Sequence, residues 1–277
     1  MRFIEVILNG GLGNQLFQYA TARALMKKSD LLFFNVNSYS DNYLERKFKL
    51  LNYKVKGSVT KNVLLEKAFI PSTKVNMLLS QLNLYSLIKE NGFFIHHELS
   101  QKTNVFTRVL GFWQSELYFN EIRNELVTEM KPKVIPTIPQ IFNFQNTVSV
   151  HIRRADYLCD LRYGFIGEDY YRNAIFFMKQ NLVNPCFILF SDDLAWCKSV
   201  FEGKDIFFCE ECDWQEDHLQ LYLISKCKHQ IVANSSFSWW GAWLNANPDK
   251  IVIRPNKPFN DDSLYYENYY PSDWICL

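Results

Sequence analysis

The sequence lacks any run of about 18 consecutive apolar residues, so no membrane-spanning helix is expected. It also lacks an excess of one charge: 30 Lys and Arg residues stand against 29 Asp and Glu residues, which gives no reason to expect a nucleic-acid partner. Seven cysteines at irregular spacing fit reduced thiols rather than a disulfide framework. The N-terminal segment is too short and interrupted for a signal peptide, so we expect a cytoplasmic protein.

Two ligand motifs are incomplete. Cys209 and Cys212 form a CxxC pair, but no second pair accompanies it, and the two glutamates between them disfavour a redox thiolate. Gly11-Leu12-Gly13 begins a dinucleotide fingerprint, but Leu16 occupies the position of the third glycine. Asn37, not an acid, follows the next predicted strand. We therefore expect neither a metal or redox centre at the CxxC pair nor an NAD-dependent dehydrogenase.

What the sequence does contain is regular alternation of strands and helices. Strands are predicted over 2–8, 31–36, 105–113, 147–152, 186–190, 205–209, 229–233 and 251–254. Helices are predicted over 14–28, 62–69, 74–82, 117–130, 169–180, 194–201, 216–225 and 239–245. This alternation predicts an α/β fold with parallel sheets. The proline-rich connector over 131–139 predicts two domains, 1–135 and 140–277, with a cleft between them.

A glycine-rich loop joins the first strand to the first helix. The loop and the start of that helix contain Gly11, Gly13, Asn14 and Gln15. Glycines let a ligand approach the backbone closely, and a helix N-terminus favours anions. The loop therefore either faces a phosphate or sugar, or serves only as a turn.

Polar side chains follow three predicted strands of the second half. These are Arg153, Arg154 and Asp156; Ser191, Asp192 and Asp193; and Asn234, Ser235 and Ser236. The carboxyl ends of parallel strands meet at one edge, where open α/β sheets bind ligands. The two arginines suit a diphosphate, and serines before a helix suit a phosphate. The alternatives are solvated arginines with an ion-paired Asp156, and serines or aspartates that only cap helices.

A divalent metal ion is not expected at this edge. Asp192 and Asp193 are adjacent and are not the spaced carboxylate pair that holds such an ion beside a nucleotide. Arg153 and Arg154 supply positive charge that can neutralise a leaving phosphate instead. The sequence therefore predicts chemistry without a metal ion or other cofactor.

Four segments resemble motifs of one family, and they follow one another along the chain in the same order as in that family. His151–Tyr157, HIRRADY, resembles the HxRRxDY motif of the α-1,2-fucosyltransferases. Gly10–Ala20 is similar to that family's N-terminal loop and helix, Gly111–Phe119 to its middle segment, and Asn234–Leu244 to its C-terminal motif. The sequence is thereby identified as a member of this family.

The resemblance implies a GT-B-like fold, with two Rossmann-like α/β domains facing a cleft. Residues 1–135 would form the acceptor-side domain, and residues 140–277 the domain that binds GDP-fucose. The implied reaction is inverting, metal-independent transfer of L-fucose to the 2-hydroxyl of a terminal galactoside, on an oligosaccharide or glycolipid. The implied setting is a bacterial-type cytoplasmic enzyme, peripheral to the inner membrane, that builds surface glycans such as O-antigen.

The resemblance also implies roles for single residues. Arg153 would hold the GDP phosphates, with Arg154 beside it, and Asp192 would lie near the guanosine. Ser235, Ser236 and Phe237 would line the phosphate and nucleoside, as a similar segment does in protein O-fucosyltransferases. His151 and Asn234 complete the predicted donor site. Asn14 would face the reacting sugar from the other domain.

The general base and the exact activity stay open at this point. Asp156 is our first choice of base, but an ion pair that orients Arg153 or Arg154 explains it as well. His151 is either a donor ligand or a packed strand residue. Two alternatives remain. One is a transferase of another nucleotide sugar on the same scaffold. The other is a non-catalytic carbohydrate-binding module, which explains the abundant aromatic residues but not the arginine pair or the serines before the last helix.

Overall fold

The computed structural model describes residues 1–39, 47–60, 63–92, 99, 103–210, 216–264 and 266–277. It divides into two compact units, Met1–Met130 with Tyr265–Tyr269 and Lys131–Leu264 with Tyr270–Leu277. Each unit has one all-parallel sheet with helices between its strands, which confirms the predicted α/β class with two Rossmann-like parts. Cys212 of the CxxC pair lies outside the described residues. No helix among those described is long and apolar enough to cross a bilayer.

Among its described residues, the first unit contains a five-stranded sheet and four α-helices. Its strands are β1 (Phe3–Ile7), β2 (Leu31–Asn35), β3 (Ser58–Val59), β4 (Tyr85–Lys89) and β5 (Phe106–Leu110). Its helices are α1 (Leu12–Ala24), α2 (Val63–Phe69), α3 (Lys74–Gln81) and α4 (Arg123–Glu129). Short 3-10 helices cover Asn37–Tyr39, Leu50–Asn52, Glu116–Tyr118 and Asn120–Ile122. The strand order is β3-β2-β1-β5-β4.

The central position of β1 explains its apolar sequence. Ile4 and Val6 are fully buried, as are Leu16, Phe17 and Ala20 of α1, which covers the sheet. The predicted helix over 117–130 is wrong at its start, because 3-10 turns occupy its first half and α4 begins only at Arg123. The strands β3 and β4 were not predicted. The first has only two residues, and the second lies at the sheet edge, half exposed, so neither gives a clear periodic pattern.

In the part that the structure describes, the second unit contains a six-stranded sheet and four α-helices. Its strands are β6 (Thr147–Ile152), β7 (Cys186–Ser191), β8 (Ile206–Phe208), β9 (His229–Ile231), β10 (Val252–Arg254) and β11 (Ile275–Cys276). Its helices are α5 (Glu168–Asn181), α6 (Leu194–Val200), α7 (Asp217–Lys226) and α8 (Ser236–Trp243). Short 3-10 helices cover Gln140–Asn143 and Asp156–Leu158. All residues of β6 and β7 are buried, as expected for central strands of a covered parallel sheet.

Both sheets reverse their strand order at a defined point. In the second unit the order is β11-β10-β9-β6-β7-β8, so the chain builds outward from β6 on one side and from β9 on the other. In the first unit β1 pairs with β2 on one side and with β5 on the other. Ligands of open α/β sheets bind beyond the carboxyl ends of the strands at such a reversal. The predicted donor motifs follow β6 and β9, and the glycine loop follows β1.

Candidate active site

Arg153 is held at the carboxyl end of β6 by two carboxylates. Ile152 pairs with Ser191 in the β6–β7 register, which places the next residues, Arg153 and Asp192, opposite each other. The Nε of Arg153 lies 3.2 Å from Oδ2 of Asp192, and its Nη2 donates to Oδ2 of Asp156 at 2.7 Å. Burial acts to lower the pKa of the guanidinium, but the two aspartates outweigh it and raise that pKa, so Arg153 stays cationic.

Arg154 has different surroundings from Arg153. Its guanidinium pairs with Asp193 and lies over the ring of Trp196, with Cζ 4.8 Å from the centroid, and at 5.9 Å over Phe165. Asp193 also caps α6, since its Oδ1 accepts from the backbone N–H of Trp196 at 3.0 Å. Arg154 is therefore fixed to the scaffold of its own unit.

Asp192 organises both arginines. Its Oδ1 accepts from the backbone N–H of Arg154 at 2.8 Å, and its Oδ2 faces Arg153. Its side chain is only 10% exposed. A buried carboxylate between a backbone donor and a guanidinium fixes the turn that follows β6. The predicted contact of Asp192 with guanosine stays a prediction, and the described contacts are those to the arginines.

The segment after β9 forms the start of α8. Ser235 is its N-cap, and its Oγ accepts from the backbone N–H of Ser238 at 3.1 Å. The predicted helix over 239–245 starts too late, because Ser236 and Phe237 already form its first turn. The first turn of a helix has backbone N–H groups without intrahelical acceptors and a positive dipole end. Ser236 and Phe237 are partly exposed there, so this end of α8 suits a phosphate.

Asn234 braces the loops around this edge. Its Nδ2 donates to the backbone oxygens of Tyr163, Gly164 and Pro258 at 3.1, 3.1 and 2.7 Å. Asn234 is buried. It connects the β6–α5 loop and the segment after β10 to the end of β9. This scaffold role was not foreseen, because the acceptors are backbone oxygens far away in sequence.

His151 is a buried, neutral residue of β6. Burial, reinforced by nearby Arg153, lowers the pKa of His151 to about 3. Its ring lies 5.2 Å from that of Phe237, and among the described residues neither ring nitrogen has a hydrogen-bond partner. This packing matches the second interpretation considered for His151, a strand residue that supports Phe237. Its role as a donor ligand stays a prediction.

In the first unit, the glycine loop is tightly closed over the start of α1. Gly10 has φ 74°, and a Cβ atom on it would come within 2.6 Å of Nδ2 of Asn14, so glycine is required there. The Gly10 oxygen accepts from Tyr39 Oη at 2.9 Å and from Gln15 Nε2 at 3.2 Å. Gly11 is the N-cap of α1, and Gly13 is buried in its first turn. These contacts hold the loop against the start of α1, and its contact with a ligand stays a prediction.

Gln15 is fully buried and makes contacts within the protein. Besides Gly10, its Nε2 donates to the Lys47 oxygen at 2.9 Å, and its Oε1 accepts from the Lys49 backbone N–H at 2.9 Å. These bonds tie residues 47–49 to the loop. Asn14, by contrast, is partly exposed. The structure thus leaves Asn14 as the loop's candidate for ligand contact and shows Gln15 as a brace.

The β5 end carries a residue that the motif contained but for which no role was predicted. Gln114 Nε2 donates to Oδ1 of Asn14 at 2.8 Å. Trp113, just before it, has φ 59°, a left-handed conformation that costs a bulky residue about 1–2 kcal/mol. The carboxylate of Glu90 holds this turn by accepting from the backbone N–H groups of Phe112 at 2.6 Å and Trp113 at 2.9 Å.

No group of three or more His, Cys, Asp or Glu side chains that could hold a metal ion occurs among the described residues. The predicted independence of metal ions is a separate matter and stays a prediction.

Comparison with known proteins assigns the family. Residues 3–277 match the model of glycosyl transferase family 11. An alpha-1,2-colitosyltransferase of Escherichia coli is 31% identical over 302 aligned positions, which cover 100% of this chain and 99% of that protein. The O-antigen biosynthesis glycosyltransferase WbnK of the same species is 30% identical, covering 91% and 93%. Among solved structures, the E. coli ADP-heptose lipopolysaccharide heptosyltransferase II matches with TM-score 0.48 and 9% identity, covering 100% and 90%.

The first two relatives are aligned over nearly their whole length, and the family model matches nearly the whole of this chain. The family-level prediction made from the four sequence motifs is confirmed. The chain belongs to glycosyltransferase family 11.

Proposed function

We propose that this glycosyltransferase moves L-fucose from GDP-fucose to the 2-hydroxyl of a terminal galactoside, with inversion and without a metal ion. The observation that carries the proposal is Arg153, a partly exposed guanidinium fixed by two carboxylates at the strand-order reversal of its sheet. That position is where α/β sheets bind nucleotides. A non-catalytic carbohydrate-binding module would have no use for such a group.

Arg153 and Arg154 have different proposed roles. The guanidinium of Arg154 pairs with Asp193 and lies over the ring of Trp196, and these contacts hold the turn that follows β6. Arg153 has 29% of its side chain exposed and is the group offered to a diphosphate. The first turn of α8, after the neighbouring strand β9, adds backbone N–H groups at the same sheet edge. Together they form a preorganised site for an anion.

The chemistry follows from where charge develops. As the bond between the fucosyl C1 and the β-phosphate oxygen breaks, its electron pair remains on the phosphate. Arg153 and the N–H groups of Ser236 and Phe237 stabilise that growing charge. The acceptor hydroxyl attacks C1 from the opposite face, which inverts the centre, and loses its proton to a base. Asn14 faces the reacting sugar from the glycine loop.

Asp156 is the open assignment within this mechanism. The sequence favours it as the general base, and the alternative is that it orients Arg153. The 2.7 Å contact between Arg153 Nη2 and Asp156 Oδ2 supports the orienting role. Asp156 is also 43% exposed, and a base benefits from a site that excludes water. Both roles are hypotheses, and the Asp156→Asn variant separates them.

Another sugar donor is the second candidate, because one relative is named a colitosyltransferase. Colitose is fucose without its 3-hydroxyl. A comparison of the two donors therefore tests whether the site makes a hydrogen bond to that hydroxyl. A site built to hydrogen-bond a hydroxyl rejects the analogue without it by about 10⁴-fold, whereas an apolar pocket discriminates by only about 10- to 200-fold. We propose fucose as the donor sugar and expect kcat/KM to favour GDP-fucose strongly over GDP-colitose.

The direct test is a transfer assay with purified protein, lactose and either donor, in excess EDTA. We expect GDP release with GDP-fucose and a product that NMR identifies as fucosyl-α-1,2-galactose. EDTA should not prevent the reaction, because no step in the proposed mechanism requires a metal ion. Transfer only from GDP-colitose would replace the proposed donor and keep the reaction class. Transfer that EDTA abolishes would contradict metal independence.

We also infer that this protein contacts a membrane surface peripherally, consistent with a glycolipid acceptor. Helices α2 and α3 pack together, and apolar side chains are exposed on α3 and just after each of the two helices, namely Met77, Leu78, Ile70 and Leu82. Residues 47–92 contain eight lysines and only two glutamates, although the whole chain is nearly neutral. Exposed apolar side chains beside lysines suit an anionic bilayer.

Vesicle sedimentation tests this inference. The protein should pellet with phosphatidylglycerol-containing vesicles and remain in the supernatant with phosphatidylcholine alone. Replacing Lys67 and Lys74 by Gln should weaken partitioning by about fivefold for each lysine. The matched control replaces Lys204 and Lys228, exposed lysines of the second unit, and should not change partitioning. Equal binding to both kinds of vesicle would contradict an electrostatic contact.

A further inference from the structure

The amide of Asn14 is held in one orientation by a neighbour from another strand. Oδ1 of Asn14 accepts from Gln114 Nε2 at 2.8 Å. With Oδ1 engaged in this way, the Nδ2 group is left as the hydrogen-bond donor of the side chain. Gly10, lacking a side chain, leaves room for that Nδ2 group. An asparagine amide that is free to rotate would present its oxygen and its nitrogen to a ligand alternately.

Gln114 is itself fixed by the turn that precedes it. Lys89 pairs with Leu110 in the β4–β5 register, so Glu90 lies beside the turn that begins at Gly111. The Glu90 carboxylate receives two backbone N–H groups of that turn, and Trp113 is held in a left-handed conformation. Strained backbone that the surroundings hold in place is typical of functional sites. Here the turn at Trp113 places Gln114, which is almost fully buried, against Asn14.

We propose that Gln114 is a positioning residue for the transfer reaction: it fixes the Asn14 amide so that Nδ2 donates to an oxygen of the reacting sugar. This inference rests on the proposed function, in which Asn14 faces that sugar. Gln114 acts through Asn14 and has no substrate contact of its own. The chain of contacts runs from Glu90 through the turn to Gln114 and then to Asn14, all within the first unit.

The Gln114→Glu substitution tests the proposal through pH. An ionised carboxylate only accepts hydrogen bonds, so above its pKa it attracts Nδ2 of Asn14 and turns the amide away from the sugar. Below its pKa the protonated carboxyl donates again, as the glutamine did. A glutamate has an ordinary pKa of about 4.3, and burial raises it. The lost activity should therefore return as pH falls.

We expect kcat of Gln114→Glu to be about ten- to a hundredfold below wild type at pH 8, the cost of a misoriented reacting group. The ratio of variant to wild-type kcat should rise toward one as pH falls from about 7 to about 5. The dissociation constant for GDP should not change, because the donor site belongs to the second unit. The matched control is Gln180→Glu, an exposed residue of α5, which should match wild type at every pH.

Gln114→Met provides a second test of the positioning role. This test does not depend on a charge at position 114 or on whether Gln114→Glu folds. It removes the donor at all pH values, so its loss of kcat should be constant with pH while GDP affinity and melting temperature stay near wild type. A pH-independent ratio for Gln114→Glu, or wild-type kcat for Gln114→Met, would overturn the positioning role. Absence of transfer by the wild-type enzyme would instead count against the proposed function.

Discussion

Arg153→Ala should lower kcat for transfer by about a thousandfold, the largest effect expected from any single substitution in this chain. Removing one preorganised group that faces developing negative charge costs about 10²–10³ in rate, and a full positive charge lies at the upper end of that range. The guanidinium is cationic and fixed at two points, to Asp156 and Asp192. The effect should appear in kcat and also in the affinity for GDP, because in the proposed reaction both the donor and the released product carry the diphosphate.

The control for this variant is Arg172→Ala on α5. Arg172 is also a partly exposed arginine with a carboxylate partner, Glu168, but it does not lie at a strand end. Its loss should leave kcat within about twofold of wild type, because exposed ion pairs contribute little. Circular dichroism and melting temperature should show that both variants fold. Near-wild-type turnover in Arg153→Ala would contradict the proposed role of Arg153 in stabilising charge on the diphosphate.

Asp192→Asn should give the second largest effect, a loss of about a hundredfold in kcat. The amide retains one oxygen for the backbone N–H of Arg154 but directs an NH₂ group at the Nε of Arg153, where two donors repel. Displacement of a reacting group by about 1 Å costs about 10² in rate. The measurement is kcat and GDP affinity, with melting temperature as the check on folding.

Asp156→Asn is the natural comparison, because Asp156 contacts the same guanidinium from a more exposed position. If it only orients Arg153, its loss should cost about fivefold, in line with a partly exposed ion pair. A loss of about two to four orders of magnitude would instead assign it the role of general base. An Asp156→Asn effect larger than that of Asp192→Asn would contradict the orienting role.

The sequence predicted that the donor motifs follow neighbouring parallel strands, because that placement depends on topology. Alternating elements imply parallel strands, and residues after parallel strands share one edge. The motif at Arg153 and the segment from Ser235 do follow neighbouring strands, β6 and β9. The ion-pair interpretation of Asp156 was also available from its spacing of three residues from Arg153. These inferences needed only local pattern and the rules of sheet construction.

The individual tasks of the side chains could not be predicted in the same way. Arg154 turns to Trp196 and Asp193, about forty positions away, and nothing in a single sequence marks that pairing. Gln15 and Gln114 both lie in motifs, but one braces the backbone of a distant segment and the other contacts Asn14. Register and packing decide such contacts. They become visible only when strands that are distant in sequence are placed side by side.

The measurement that tests the central claim most directly is calorimetric titration of GDP into the wild-type protein and into Arg153→Ala, both in EDTA. We predict saturable binding of one GDP per chain without a metal ion, and a loss of at least tenfold in affinity in the variant. Equal affinity of the two proteins, or no binding of GDP to the wild type, would contradict the assignment of Arg153 as the diphosphate ligand at the strand-order reversal.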